Sequence, residues 1–172
     1  FGSYIDDIAI APTNGNIVYM AINASIYKST NGGVSFTNIT QGLSGTDYIT
    51  DIAISNLNSD HVWLCKSGYN SNNKVYKSVD GGSTWSNLTG NLPNLPCNAV
   101  MYESGTNDGI YVGNDIGVYY RDNNSSNWIP FMEGLPNVIV NDLEIFYAGG
   151  KLRAGTYGRG IWESDLYSVL VG

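Results

Sequence analysis

The sequence predicts an all-β fold built from repeated units of four antiparallel strands, and three observations indicate it. The 172 residues include 21 Gly and 13 Tyr but only 13% charged residues, a composition typical of short strands joined by tight turns. Apolar residues alternate or run briefly between Gly, Asn, Asp and Pro, without a helical period. The chain also aligns with itself at a period of about 40 to 50 residues, the length of a β-propeller blade.

Four such units form a single predicted domain over residues 1–172. Their approximate bounds are residues 4–48, 49–96, 97–136 and 137–172. In the second unit we expect strands at residues 49–55, 61–66, 74–78 and 84–88. No helix is expected, and residues 167–171 are expected to supply the fourth strand of the last unit. The alignment places four polar residues at one position of the first strand, namely Asp7, Asp51, Asn98 and Asp142.

Four blades are the minimum for a closed propeller, since known rings contain about four to eight. We therefore expect a segment of a larger ring, its C-terminal half, with residues 1–4 forming the tail of a preceding blade. An open set of blades exposes apolar faces and strand edges. A missing N-terminal half, a partner chain or a second copy is expected to cover them.

The charge of the chain excludes some partners. Eight Lys and Arg against fifteen Asp and Glu give a net charge of -7, which repels nucleic acid. The apolar runs are too short for membrane insertion. The composition favours a secreted or cell-surface protein, which we expect to be a trimmed product or a fragment. Cys65 and Cys97 are compatible with one disulfide bridge or with two free thiols.

A recurrent motif stands between the third and fourth predicted strands. It reads SVDGGSTW at residues 78–85, STNGGVSF at residues 29–36 and, more distantly, RDNNSSNW at residues 121–128. The motif resembles the Asp box, S-x-D-x-G-x-T-W, of bacterial-neuraminidase-repeat propellers, which include sialidase-like, sortilin-like and xyloglucanase-like proteins. The resemblance implies structural turns on the face opposite the ligand, built by Ser29, Asn31, Gly33, Phe36, Ser78, Asp80, Gly82, Trp85 and Trp128.

In such propellers the ligand face comprises the connectors into each first strand and the loops between the second and third strands. The connectors here are residues 41–50, 90–97 and 134–141, and the loops are residues 21–25, 66–73, 113–117 and 154–160. Tyr48, Tyr69 and Tyr157 offer flat faces for a sugar or a peptide. Directional hydrogen bonds would come from Asp47, Asp115 and Arg159. The alternative is an ordinary exposed loop surface.

Three functions follow from these observations. The leading interpretation is a non-catalytic carbohydrate-binding, protein-binding or scaffold module. The second is half of a polysaccharide hydrolase, because the loop at residues 113–117 resembles one that carries a catalytic Asp in xyloglucan endoglucanases. Asp115 would then be one of the two carboxylates that an inverting hydrolase needs. The third is a purely architectural segment of a larger complex.

Other chemistries are less compatible with the sequence. The resemblance to sialidases would require an arginine triad, but Arg153 and Arg159 lie in one unit and Arg121 falls in the motif on the opposite face. No carboxylates stand at the spacing of a calcium loop. We therefore expect no metal and no cofactor.

Overall fold

The computed structural model describes residues 4–70 and 72–171. The strands form four antiparallel sheets, three of four strands and one of three, which confirms the predicted fold of propeller blades. The expected role of residues 1–3 lies outside the described residues. The strands of the first two blades are β1 Asp7–Ile10, β2 Val18–Ile22, β3 Ser25–Ser29, β4 Thr37–Asn38, β5 Ile49–Ile54, β6 Val62–Lys66, β7 Val75–Ser78 and β8 Ser86–Asn87.

The third blade has four strands, like the first two, and the fourth blade has three. Their strands are β9 Cys97–Glu103, β10 Gly109–Asn114, β11 Gly117–Arg121, β12 Ile129–Pro130, β13 Val140–Phe146, β14 Lys151–Thr156 and β15 Gly160–Asp165. A 3₁₀ turn spans Tyr147–Gly149, and a short helix, α1, spans Tyr167–Val171. Within the described residues, no helix is long and apolar enough to cross a membrane.

Each blade is a meander whose two ends have different roles. In the second blade, Ile49 pairs with Lys66 at one end, where the connector enters and the β6–β7 loop turns. At the other end, Ile54 pairs with Val62, and Val62 pairs with Ser78, where the motif begins. We call these ends the connector end and the turn end. The predicted ligand loops and the motif therefore lie at opposite ends of the blade.

An aromatic side chain fills the space between each pair of adjacent blades. Tyr19, Trp63 and Tyr111 occupy the same position of the second strand, and all three are fully buried. Trp63 stacks on Tyr102 of the following blade with 4.8 Å between ring centroids. Burying such a ring contributes about 2 to 3 kcal/mol, so these residues are major sources of cohesion between blades.

The outward faces of the first and last blades differ from the faces between blades. The fourth blade has Arg153 where the first three have the buried aromatic residue, and Arg153 pairs with Glu163 at 2.8 Å. The first blade presents Ile8 and Ile10, which are 55% and 61% exposed. The free face of the fourth blade therefore combines an ion pair with the exposed Phe146 and Ile161, whereas that of the first blade exposes two isoleucines.

The inner strands β5, β9 and β13 each begin with a bulge, and the bulges of the second and third blades bond to the following blade. The Thr50 hydroxyl donates to the Cys97 carbonyl at 2.7 Å, and the Asn98 amide donates to the Val140 carbonyl at 3.2 Å. The bulge leaves Asn98 unpaired, and Ala99 takes the position of Asp51 in the ladder. The expected alignment of Asn98 with the three aspartates is therefore wrong by one residue.

The motif turns are held by their own side chains. Asp80 Oδ1 accepts hydrogen bonds from the Ser78 hydroxyl and from the Thr84 N–H, both at 2.8 Å. In the first blade, Asn31 Oδ1 accepts equivalent bonds from the Ser29 hydroxyl and the Ser35 N–H. The Thr84 hydroxyl also donates to Asp80 Oδ2 at 2.7 Å, and this bond, with those from the Thr84 N–H and the Ser78 hydroxyl, lowers the pKa of Asp80 to about 2. The side chain thus serves the turn as an Asx-type acceptor.

One expected segment is different in the structure, and the open question about the two cysteines is decided. Residues 167–171 form α1 instead of a fourth strand, because the Tyr167 ring stacks on Tyr120 and its N–H donates to the Tyr111 hydroxyl at 2.7 Å. The possible disulfide is absent, since Cys65 and Cys97 are both buried free thiols. Cys65 Sγ instead lies 3.2 Å from the Thr50 hydroxyl.

Alanine substitutions at two equivalent glycines test how closely the blades approach. Gly33 and Gly82 have φ values of +87° and +90°, so alanine is similarly strained at both. A Cβ at residue 82 would clash with Ile39 of the preceding blade, whereas one at residue 33 would meet nothing closer than 3.9 Å. We expect Gly82→Ala to lower the free energy of unfolding by about 1 to 3 kcal/mol more than Gly33→Ala. Urea denaturation measures both, and equal losses would contradict the inferred contact.

Candidate ligand face

The structure places all six predicted ligand residues at the connector end. Asp47 and Tyr48 precede β5, and Tyr69 lies in the β6–β7 loop of the same blade. Asp115 lies in the β10–β11 turn of the third blade. Tyr157 and Arg159 lie in the β14–β15 turn of the fourth blade. The residues are therefore spread over three successive blades, with one close group in the second.

Tyr48 and Tyr69 belong to two loops that are bonded to each other. The N–H and the hydroxyl of Ser67 donate to the Tyr48 carbonyl at 2.9 and 3.3 Å. Tyr48 is 53% exposed and Tyr69 is 67% exposed. The loops thus hold two aromatic side chains in solvent at one end of the second blade. Tyr157 is equally exposed but stands two blades away, where its N–H donates to the Ile139 carbonyl.

Two buried lysines donate hydrogen bonds to backbone carbonyls of these loops, and neither lysine could be recognised from the sequence. Lys66 Nζ donates to the Ser44 carbonyl at 2.9 Å, and Lys74 Nζ donates to the Gly68 carbonyl at 2.6 Å. Both side chains are fully buried. Burial lowers the pKa of each, and the negative charge of Asp47 opposes this effect at both. The only sequence signal was their position at strand ends that flank the loop.

Asp47 lies against the backbone of the neighbouring loop. A Cβ at residue 68 would clash with its carboxylate, so the glycine, with φ of +83°, permits the approach. Asp47 Oδ2 is buried and has no hydrogen-bond partner among the described residues. This oxygen is therefore shielded from solvent and unpartnered within the described part of the chain.

Asp115 is oriented by the neighbouring inner strand. Its Oδ1 accepts a hydrogen bond from Asn98 Nδ2 at 3.1 Å, and the same amide donates to the Val140 carbonyl. The charges of Asp47 and Asp115 both favour the protonated form of Lys74. The structure therefore brings these two carboxylates into the surroundings of one lysine. Arg159 is separate from them, and its carbonyl accepts from Trp162 Nε1 at 3.1 Å.

Carboxyl groups of the inner strands line a second cavity, which was not predicted as a site although these residues align in the sequence. A cavity of about 490 Å³ is lined by the inner strands of all four blades, including Asp51 and Asp142. Burial raises the pKa of Asp51 to about 7, and the charges of Asp7 and Asp142 add to this rise. Hydrogen bonds from the Val100 and Ile52 N–H groups oppose it. Within the described residues, no cluster of His, Cys, Asp and Glu could hold a metal ion.

Comparison with known proteins supports the fold. No protein-family model matches the chain, and no curated protein matches it. Among solved structures, an ancestral GH74 enzyme superposes with a TM-score of 0.74 at 18% identity, over 95% of this chain and 23% of that one. The GH74 xyloglucanase from Xanthomonas campestris gives 0.68 at 14% identity, over 91% of this chain and 28% of that one.

A third similar structure is YCF48 bound to D1 peptide, with a TM-score of 0.69 at 15% identity over 95% of this chain and 50% of that one. At these identities the likeness shows the fold alone. The chain spans about a quarter of the GH74 chains and half of the YCF48 chain. Together with the four blades, these matches define a partial β-propeller.

The pKa of Asp51 predicts a pH dependence of stability. The folded state keeps this proton up to about pH 7, whereas the unfolded state releases it near 3.8, the ordinary pKa of an aspartic acid side chain. The folded state therefore binds more protons between these values, and the stability contributed by Asp51 is lost as the pH rises from about 4 to 7. Between pH 4 and pH 7, we expect the free energy of unfolding of Asp51→Asn to fall by roughly 2 to 4 kcal/mol less than that of the wild type.

Urea denaturation at several pH values measures this effect. Asp60→Asn is the control for loss of one carboxylate, because Asp60 is an exposed partner of Lys28. Parallel stability profiles for the wild type and Asp51→Asn would contradict the assignment.

Proposed function

We propose that the chain is a segment of a secreted or cell-surface Asp-box propeller that acts as a non-catalytic binding module. Its ligand, a glycan or a protein segment, binds at the connector end. The observation that carries this proposal is the pair of exposed tyrosines, Tyr48 and Tyr69, on loops joined through Ser67. The ring is completed by blades outside this chain.

The loops that carry the two tyrosines are supported well enough to act as a preformed surface. Lys66 binds carbonyls of the connector before Tyr48, and Lys74 binds a carbonyl of the loop that carries Tyr69. A ligand would then order few side chains on binding, which preserves affinity. Flat, amphipathic tyrosine faces suit sugar rings and peptide side chains alike.

The net charge of the chain narrows the class of ligand. A net charge of -7 disfavours acidic ligands. The similar structures include a xyloglucanase and a protein bound to a peptide, which supports neutral oligosaccharides and extended peptides as first candidates.

Substitution of the two tyrosines tests the binding surface. We expect Tyr48→Ala and Tyr69→Ala each to weaken binding of a xyloglucan oligosaccharide or of a selected peptide by about tenfold or more, because each removes an aromatic contact. Isothermal titration calorimetry measures the effect. Tyr4→Ala is the matched control, since Tyr4 is 92% exposed and lies outside the predicted loops. Equal affinities for the wild type and both loop variants would refute the surface.

The alternative function is half of a polysaccharide hydrolase of the xyloglucan endoglucanase type. The observation that favours it is the Asn98 amide that orients Asp115, together with the proximity of Asp47 and Asp115 to Lys74. An inverting hydrolase needs one protonated and one ionised carboxyl group on opposite sides of the bond. Asp115 would be one of them, with the other supplied by the rest of the protein.

Asp115→Asn separates the two functions. In the complete protein, the hydrolase alternative predicts a fall in kcat of at least about a thousandfold on xyloglucan, since a required carboxyl group is lost. The binding module predicts no turnover in either form. Asp122→Asn, in the motif turn at the opposite end, is the control. Full hydrolysis by Asp115→Asn would eliminate the catalytic role of this residue.

A further inference from the structure

The first three blades repeat one hydrogen bond where the fourth strand ends. The N–H groups of Ile39, Leu88 and Phe131 donate to the carbonyls of Ile26, Val75 and Val118 at 3.0, 2.8 and 2.8 Å. The strand register places Ile161 of β15 at the position of those three acceptors. The chain turns into α1 after β15, so no residue of a fourth strand reaches the Ile161 carbonyl.

A second repeated bond joins each fourth strand to the blade before it. Trp85 Nε1 donates to the Ile39 carbonyl at 2.9 Å, and Trp128 Nε1 donates to the Leu88 carbonyl at 2.7 Å. The next acceptor in this series is the carbonyl of Phe131. Within the described residues, it receives no indole, because the fourth blade has no fourth strand.

A cavity lies where that indole would fit. It has a volume of about 410 Å³, and its walls include Phe131, Leu135, Ala154, Trp162 and Leu170. Leu43 and Leu92 are the equivalents of Leu135, since all three donate to the carbonyl three residues earlier. Leu43 belongs to the apolar cluster that includes Trp85, and Leu92 belongs to the cluster that includes Trp128.

Gly42 and Gly134, which precede Leu43 and Leu135, also differ in the space beside them. A Cβ at Gly42 would lie 3.8 Å from the Trp85 ring, whereas a Cβ at Gly134 would meet nothing within 4 Å. The space beside Gly134 and Leu135 is therefore open where its counterpart in the first blade is filled by an indole.

We propose that this cavity and the free edge of β15 form a binding site for an extended segment of a partner polypeptide that carries a tryptophan. The segment pairs with β15 as a fourth strand and donates an N–H to the Ile161 carbonyl. Its indole enters the cavity and donates to the Phe131 carbonyl. The site also lies toward the connector end, but on the fourth blade, and it is distinct from the tyrosine pair of the second blade because its described lining includes neither Tyr48 nor Tyr69.

The occupied sites define the sequence that the partner must carry. Trp85 is followed three residues later by Leu88, Trp128 by Phe131, and Phe36 by Ile39. In each case the first residue is aromatic and the second is a large apolar residue whose N–H makes the repeated bond. The expected ligand is therefore an extended peptide with an aromatic residue, preferably Trp, and a large apolar residue at i+3. Strand addition of this kind combines main-chain bonds with a side-chain pocket.

A synthetic peptide with the sequence of residues 82–90, GSTWSNLTG, tests the site on the 172-residue chain. We expect saturable binding in fluorescence anisotropy with a labelled peptide, and binding at least about tenfold weaker when its Trp is replaced by Ala, because the indole is the anchor. Leu135→Gln and Trp162→Ser are expected to weaken binding similarly. Ile8→Gln and Tyr4→Ala are the controls and should bind the peptide as the wild type does.

Circular dichroism verifies that each variant is folded, and Trp162→Ser alters a side chain that is already 38% exposed. Nuclear magnetic resonance locates the contact independently, with shifts expected at residues 131–135 and 161–163. Absence of binding, equal affinity for the Trp and Ala peptides, or shifts confined to residues 8–10 would each overturn the proposal. If Tyr69→Ala loses its ligand at the tyrosine surface, the proposal for the β15 site is unaffected. The two proposals can therefore be refuted independently.

Discussion

The structure depends on the packing of one buried aromatic ring between successive blades. A single four-stranded meander has two broad faces and cannot bury both by itself. Tyr19, Trp63 and Tyr111 each fill the gap to the next blade, and in the second and third blades a polar residue at the inner-strand bulge also bonds to the next backbone. Since the three interfaces use the same aromatic position, the molecule is a series of nearest-neighbour contacts. The ends of that series necessarily differ from its middle.

Much of the fold could be predicted from the sequence because a repeat presents the same evidence several times. In the second blade, the strands predicted from alternating apolar residues and from the motif at Ser78 agree with the structure to within about two residues. This is the usual error of such boundaries. The bulge that displaces Asn98 could not be predicted, since it changes the register by one residue without any change in composition. The helix at residues 167–171 depends on Tyr120 and Tyr111, which are distant in the sequence.

The candidate site was only partly predictable for a related reason. Loop positions follow from strand order, so Tyr48, Tyr69 and Asp115 could be assigned to one end of the blades. The support beneath the loops depends on which carbonyl a lysine reaches, and a lone Lys66 or Lys74 in a sequence is normally solvated. The raised pKa of Asp51 likewise arises from burial and from Asp7 and Asp142 on other blades. These are three-dimensional properties that no single segment encodes.

The charged face of the last blade limits how copies of this chain can associate. Head-to-tail association of copies gives a closed ring or an open filament, depending on the rotation between copies. Arg153 and Glu163 stand at one end, and Ile8 and Ile10 stand at the other. Burying the ion pair against the two isoleucines would remove both charges from water without new polar partners, which is unfavourable. A neighbour with a polar group opposite Arg153 and Glu163 is therefore better matched to the last blade than the first blade of an identical copy.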